Sequence, residues 1–73
     1  MNNKMNHEVK IVNQDGKLTY EKSFRTAEAA CEDYTKNLAI LKKFIGDEKP
    51  GTMYGIVRLN DGYPMAAEVV EHK

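Results

Sequence analysis

Side chains that could bind a metal are few in this chain and lie far apart in the sequence. His7 and His72 are the only histidines, and Cys31 is the only cysteine. A structural zinc site needs about four such ligands at close, paired spacings, and no such spacing occurs here. Cys31 also belongs to an apolar helical pattern, where it is interpreted as a small buried side chain. We therefore expect no metal and no other cofactor.

The groups needed for catalysis are equally sparse. Ser23 is the only serine, and a nucleophile needs a neighbouring base and an orienting acid. Asp15 and Asp61 have the positions of turn residues, and the adjacent Asp47 and Glu48 fit a solvated loop. The five glycines are dispersed and form no phosphate-binding loop. We expect a protein without enzymatic activity.

Charge and hydropathy indicate which partners and which cellular location to expect. Eleven basic residues balance eleven acidic ones, which disfavours both strongly basic nucleic-acid binders and acidic DNA mimics. No apolar run approaches the ~20 residues of a membrane span. The first seven residues are polar and lack the apolar region of a signal peptide. A single cysteine fits a reducing compartment, so a cytoplasmic location is expected.

Two Asp-Gly turns, at residues 13–16 and 59–62, separate segments in which apolar and polar residues alternate. Such turns join the two strands of a hairpin. With Gly16 left-handed and Val12 opposite Lys17, the first hairpin gathers its apolar residues on one face: Val9, Ile11, Leu18 and Tyr20. The other face collects Glu8, Lys10, Lys17, Thr19 and Glu21, with Val12 its only apolar member. This hairpin should have one buried side and one solvated side.

A helix is predicted between the hairpins, from about residue 26 to residue 45. Thr26 is a good N-cap, Gly46 suits the C′ position, and Pro50 follows. Apolar residues recur at spacings of three and four, which predicts one buried stripe: Ala27, Cys31, Tyr34, Leu38, Leu41 and Ile45. Near its C-terminal end the apolar surface is widened by Ala39, Ile40 and Phe44, which we interpret as a broader core contact.

The second hairpin is apolar on both faces. One face holds Tyr54, Ile56 and Arg58 with Met65, Ala67 and Val69. The other holds Met53, Gly55, Val57 and Leu59 with Ala66, Glu68 and Val70. Because Gly55 and Ala66 allow close approach, the second set is assigned to the helix. The alternative, in which Val57 and Leu59 belong to the uncovered face, stays open.

These patterns predict an α+β fold, a ββαββ two-layer sandwich. A four-stranded antiparallel sheet of order 2-1-3-4 carries one long helix on one face. The third strand, apolar on both faces, should be central, while a polar second strand and Pro64 in the fourth suit the sheet edges. Residues 1–6 are expected to form a tail, and residues 7–73 a single domain.

One helix can cover only one face, so the other face of the second hairpin is predicted to be a protein interface. Its expected residues are Tyr54, Ile56, Arg58, Tyr63, Met65 and Val69. The partner is a foreign protein or a second copy of the chain. In size and predicted architecture the chain is similar to the small cofactor-free proteins with which phages and mobile elements block host machinery, including defence complexes. That likeness implies an inhibitor that occupies the surface of a host protein complex.

Two other functions fit the same sequence. A nucleic-acid-binding sheet would stack bases on Tyr54 and Tyr63 beside Arg58, with phosphate contacts from Lys10, Lys17 and Lys22. A small homodimeric regulatory subunit would use the apolar face for self-association.

Overall fold

The computed structural model describes residues 5–73 and has the predicted α+β architecture. Along the chain lie β1 (His7–Asn13), β2 (Leu18–Phe24), α1 (Ala27–Phe44), a 3₁₀ turn (Ile45–Asp47), β3 (Met53–Asn60) and β4 (Tyr63–Glu71). The strands form one antiparallel sheet of order β2-β1-β3-β4. The long helix packs on one face of this sheet, as predicted.

The first hairpin turns as its sequence predicts. Gly16 has a φ of +79°, and its N–H donates to the carbonyl of Asn13 at 2.9 Å. The side-chain oxygen of Asn13 accepts from the N–H groups of Asp15 and Lys17. Hydrogen bonds within the turn therefore satisfy the backbone N–H groups of Asp15, Gly16 and Lys17.

The pairing beyond this turn differs from the prediction because of a bulge. Val12 lies opposite Leu18, but Ile11 lies opposite Tyr20, so Thr19 is an extra residue in β2. The predicted partners of Val12 and Ile11 were wrong by one and two residues. Tyr20 still shares the face of Ile11, whereas Leu18 moves to the face of Val12. The extra residue Thr19 interrupts the alternation of faces along β2. Leu18 and Tyr20, two positions apart, therefore lie on opposite faces of the sheet.

The helix begins as predicted and ends differently. The side-chain oxygen of Thr26 accepts from the N–H of Ala29 at 3.1 Å, which caps the helix N-terminus. At the other end the chain tightens into the 3₁₀ turn. Gly46 follows the C-cap residue Ile45 and so has the predicted C′ position, but it is not among the glycines with positive φ. The 3₁₀ turn instead supplies hydrogen bonds to the last carbonyls.

The core lies between α1 and the two central strands. Val9 is 0% and Ile56 1% exposed, and both pack in one cluster with Ile11, Ala30 and Tyr34. The predicted buried stripe is confirmed at Tyr34, Leu38, Leu41 and Ile45. At the N-terminal end of the helix, Ala30 is buried in place of Ala27 and Cys31. Cys31 is exposed, so its interpretation as a core residue was wrong.

Asn6, which was predicted to lie in an N-terminal tail, is hydrogen-bonded to the second hairpin turn. The carbonyl of Asn6 accepts from the N–H of Asp61 at 2.9 Å. The Asn6 side-chain amide donates to the side chains of Asn60 and Asp61. Asn6 is thus attached to the second turn, and the tail prediction for residues 1–4 lies outside the described part of the chain.

Candidate functional site

The helix covers one face of the sheet, and for β3 this is not the face that the sequence predicted. Ile56 lies in the core cluster with Tyr54 packed beside it, and only 1% of Ile56 is exposed. Ile56 therefore has no surface with which to contact a partner. The assignment of Met53, Gly55, Val57 and Leu59 to the helix was wrong, and these residues lie on the open face.

A bulge in β4 explains the error. Asp61 and Gly62 both have positive φ, 52° and 82°, which is the type I′ turn that Asp-Gly favours. Leu59 then pairs with Pro64, but Arg58 pairs with Ala66, so Met65 is the extra residue. Beyond the bulge each β4 side chain points to the opposite face from the one predicted relative to β3. Ala66, Glu68 and Val70 were correctly assigned to the helix side.

The open face carries a continuous apolar strip along β3 and β4, which we call the apolar stripe. It consists of Met53, Gly55, Val57 and Leu59 from β3 and Ala67 and Val69 from β4. The register places Val69 beside Gly55 and Ala67 beside Val57. Val69 is 68% exposed, far more than a side chain with a covering layer would be. Contiguous exposed apolar surface of this kind marks interaction sites on small domains.

The middle of the apolar stripe is a shallow depression. Its lining includes Val12, Gly55, Val57, Ala67 and Val69. A Cβ added at Gly55 would lie 3.3 Å from a methyl carbon of Val12, so the Val12 side chain packs close to the Gly55 backbone at one side of the depression. Two small residues between larger aliphatic ones leave room for a side chain from another molecule.

The other half of the open face, on β1 and β2, is mostly polar. Lys10 and Glu21 lie opposite each other and form an ion pair at 3.5 Å, with both side chains partly exposed. Glu8 lies beside Leu59 in the register. Val12 and Leu18 are the apolar exceptions, at the end of β1 near the first turn. The polar half gives the apolar stripe a defined border.

The six predicted interface residues do not share one surface. Tyr54, Ile56 and Arg58 lie on the helix side, and the register places Tyr63 there too, opposite Asn60. Tyr63 and Met65 are 74% and 54% exposed, next to the second turn. Val69 alone lies in the apolar stripe. Whether Tyr63, Met65 or Val69 contacts a partner stays a prediction.

The structure separates the residues expected to bind nucleic acid. Tyr54, Arg58 and Tyr63 share the helix side of the sheet, and Tyr54 packs against the core cluster there. Lys10 is paired with Glu21. The ammonium group of Lys22 lies 5.6 Å from the centre of the Phe24 ring, where a cation–π contact holds it. The helix-free face therefore does not carry the Tyr54, Arg58 and Tyr63 set that was predicted to stack bases there.

Among residues 5–73, two tyrosines have shifted pKa values: Tyr34 on α1 and Tyr20 on β2. Burial raises the pKa of Tyr34, the nearby Glu68 raises it further, and Arg58 opposes the shift. Burial also raises the pKa of Tyr20, whose hydroxyl donates to the carboxylate of Asp33 at 2.9 Å. Both tyrosines are held in the neutral form by packing, which is a structural role.

Within residues 5–73, no three His, Cys, Asp or Glu side chains lie close enough together to hold a metal ion. No helix in that range is long and apolar enough to cross a membrane.

A second exposed apolar site lies on the helix. Ile40 and Phe44, one turn apart, are each about half exposed. The sequence interpretation of these residues as a wider core contact was wrong. With two side chains this patch is smaller than the apolar stripe.

Comparison of the chain with protein-family models, curated proteins and solved structures found no match.

Sequence reasoning missed the four β3 residues of the open face, Met53, Gly55, Val57 and Leu59, which it assigned to the helix side. Gly55 was the available signal. A glycine in a central strand marks either close approach by a covering element, which was the prediction for Gly55, or an unfilled groove.

Proposed function

We propose that this chain is a non-enzymatic protein-binding module, active in the cytoplasm, whose binding surface is the apolar stripe. One observation carries the proposal: a continuous apolar strip on two strands has no covering layer, and Val69 at its centre is 68% exposed. Burying such a strip against a partner removes apolar surface from water, worth about 25 cal/mol per Å².

The polar half of the open face supports a specific interface. Interface cores are apolar and lack lone charges, and their rims are polar. The Lys10–Glu21 pair and Glu8 would form such a rim on one side. More narrowly, we propose that the chain is an inhibitor that occupies the surface of a host protein complex. The support is its likeness in size and architecture to small inhibitors of that kind.

The test is affinity capture with matched variants. The wild-type chain and Val69→Lys are immobilised and exposed to lysate from the cells in which the gene occurs. Val69→Lys puts a charge in the apolar stripe at an exposed position, so its free energy of unfolding should change by less than about 1 kcal/mol. Thr35→Lys, on an exposed position of α1, is the control that adds the same charge elsewhere.

We expect a protein that wild type and Thr35→Lys retain at a stoichiometric ratio and that Val69→Lys releases. Circular dichroism confirms that all three chains are folded. Retention of the same proteins by Val69→Lys as by wild type would contradict the proposal, as would capture of no protein by any variant. Retention that falls steeply with salt would instead favour nucleic-acid binding.

A further inference from the structure

We propose that the apolar stripe binds an amphipathic α-helix of a partner protein, about 13 residues long, with a basic residue near each end. This inference rests on the proposed function and names the kind of partner segment that the surface fits.

The width of the apolar stripe fits one helix. Two neighbouring strands present a strip about 10 Å wide, and an α-helix with its side chains is about 10–12 Å across. A second four-stranded sheet would span about 19 Å and would also cover Glu8, Lys10 and Glu21. Burying these charges without new partners is unfavourable. The surface therefore favours a helix over a second copy of this sheet.

The length of the apolar stripe sets the length of the helix. From Met53 to Leu59 there are six residue steps, or about 20 Å at 3.3 Å per residue. At 1.5 Å per residue, a helix needs about 13 residues to span that distance. The depression over Gly55, near the middle, would receive one large aliphatic or aromatic side chain from the helix.

Charge at the two ends of the apolar stripe defines the flanks of the helix. Glu8 lies beside Leu59 at one end, and Glu71 lies beside Met53 at the other. Neither carboxylate forms an ion pair within residues 5–73, where Lys10–Glu21 is the only such pair. Two carboxylates at opposite ends complement a lysine or arginine near each end of a bound helix.

The experiment selects binders from a displayed library of random 16-residue peptides, with the full 73-residue chain as the target. Peptides that also bind Val69→Lys are removed by counter-selection. We expect the retained sequences to have apolar residues at i, i+3 or i+4, and i+7, with Lys or Arg near each end. A synthetic copy of one retained peptide should gain helical circular dichroism when it binds.

Charge reversal at the two ends tests the electrostatic part. Glu8→Lys and Glu71→Lys should each weaken binding of that peptide by about two- to fivefold. Glu28→Lys, on an exposed position of α1, is the matched control and should leave the Kd unchanged. Equal Kd values for all four chains would overturn the charge assignment.

Other outcomes would overturn the helix itself. Retained peptides with period-two alternation would indicate strand addition at the β4 edge, and an absence of enrichment would show that the surface does not bind a lone helix. A wild-type dimer in sedimentation that Val69→Lys dissociates would show a second copy on this face. If any of these occurs while Val69→Lys still loses the captured protein, the proposed function stands and the helix does not.

Discussion

Two adjacent residues, Ile56 and Val57, have opposite structural roles. Both are β-branched, apolar and in the central strand, yet Ile56 is 1% exposed under the helix and Val57 lies on the open face. Nothing in their residue types distinguishes them. Their roles follow from which face α1 covers, and the sequence pattern leaves that choice nearly even.

This difference gives a direct prediction. Ile56→Ala should lower the free energy of unfolding by about 2–5 kcal/mol, because it leaves a cavity in the core. Val57→Ala removes fewer buried atoms and should lower it by less than about 1.5 kcal/mol. Denaturant unfolding of both variants measures the difference. A larger loss for Val57→Ala would mean that the helix covers the other face.

The buried tyrosines predict a pH dependence of stability. The pKa of Tyr34 is raised in the folded chain, so the unfolded chain releases this proton first as pH rises. The stabilisation is therefore complete below the ordinary tyrosine pKa of 10.0 and is lost as the pH rises through the folded-state pKa.

Tyr34→Phe should then lose less stability between pH 8 and about pH 11 than wild type does. Tyr20, whose pKa is also raised, should maintain part of the alkaline loss. Tyr63→Phe, at an exposed position, is the control. The comparison requires denaturant midpoints at both pH values, and identical alkaline losses for wild type and Tyr34→Phe would contradict the explanation.

At the scale of elements, turn and capping residues were predictable and bulges were not. Asp-Gly pairs, the Thr26 cap and the helical periodicity act locally, so their types alone predict two turns and one helix. The bulges at Thr19 and Met65 depend on how each strand fits its neighbours. Neither position contains glycine or another residue that favours a bulge, so face assignments made across them from sequence can be wrong.

The need for a positive φ in the second turn can be tested by substituting Gly62 and, as a control, a glycine without a positive φ. Gly62→Ala should destabilise the fold by about 1–2 kcal/mol, because a side chain is strained at a φ of 82°. Gly46→Ala is the matched control, since Gly46 has no positive φ and open space around it. It should be neutral or slightly stabilising. Equal thermal midpoints for the two variants would show that the type I′ geometry is not required.

At the scale of the whole molecule, the fold was predictable because several independent sequence patterns favour the same strand order. Strand polarity, strand hydrophobicity and the hairpin turns all favour order β2-β1-β3-β4, which the structure has. The same reasoning predicted an uncovered apolar surface, since a hairpin apolar on both faces meets a single helix. Of the six residues predicted for that surface, the three from β3, Tyr54, Ile56 and Arg58, lie on the helix side instead, because the choice of covered face and the Met65 bulge both had to be known.

The central claim is that the apolar stripe is the surface that meets a partner. Its most direct test is an NMR titration of the isotope-labelled chain with the partner recovered by capture. We expect the amide shifts to change most at Val12, Val57 and Val69, with small changes along the outer face of α1. Changes concentrated at Ile40 and Phe44, with the apolar stripe unaffected, would contradict this account and place the interface on the helix.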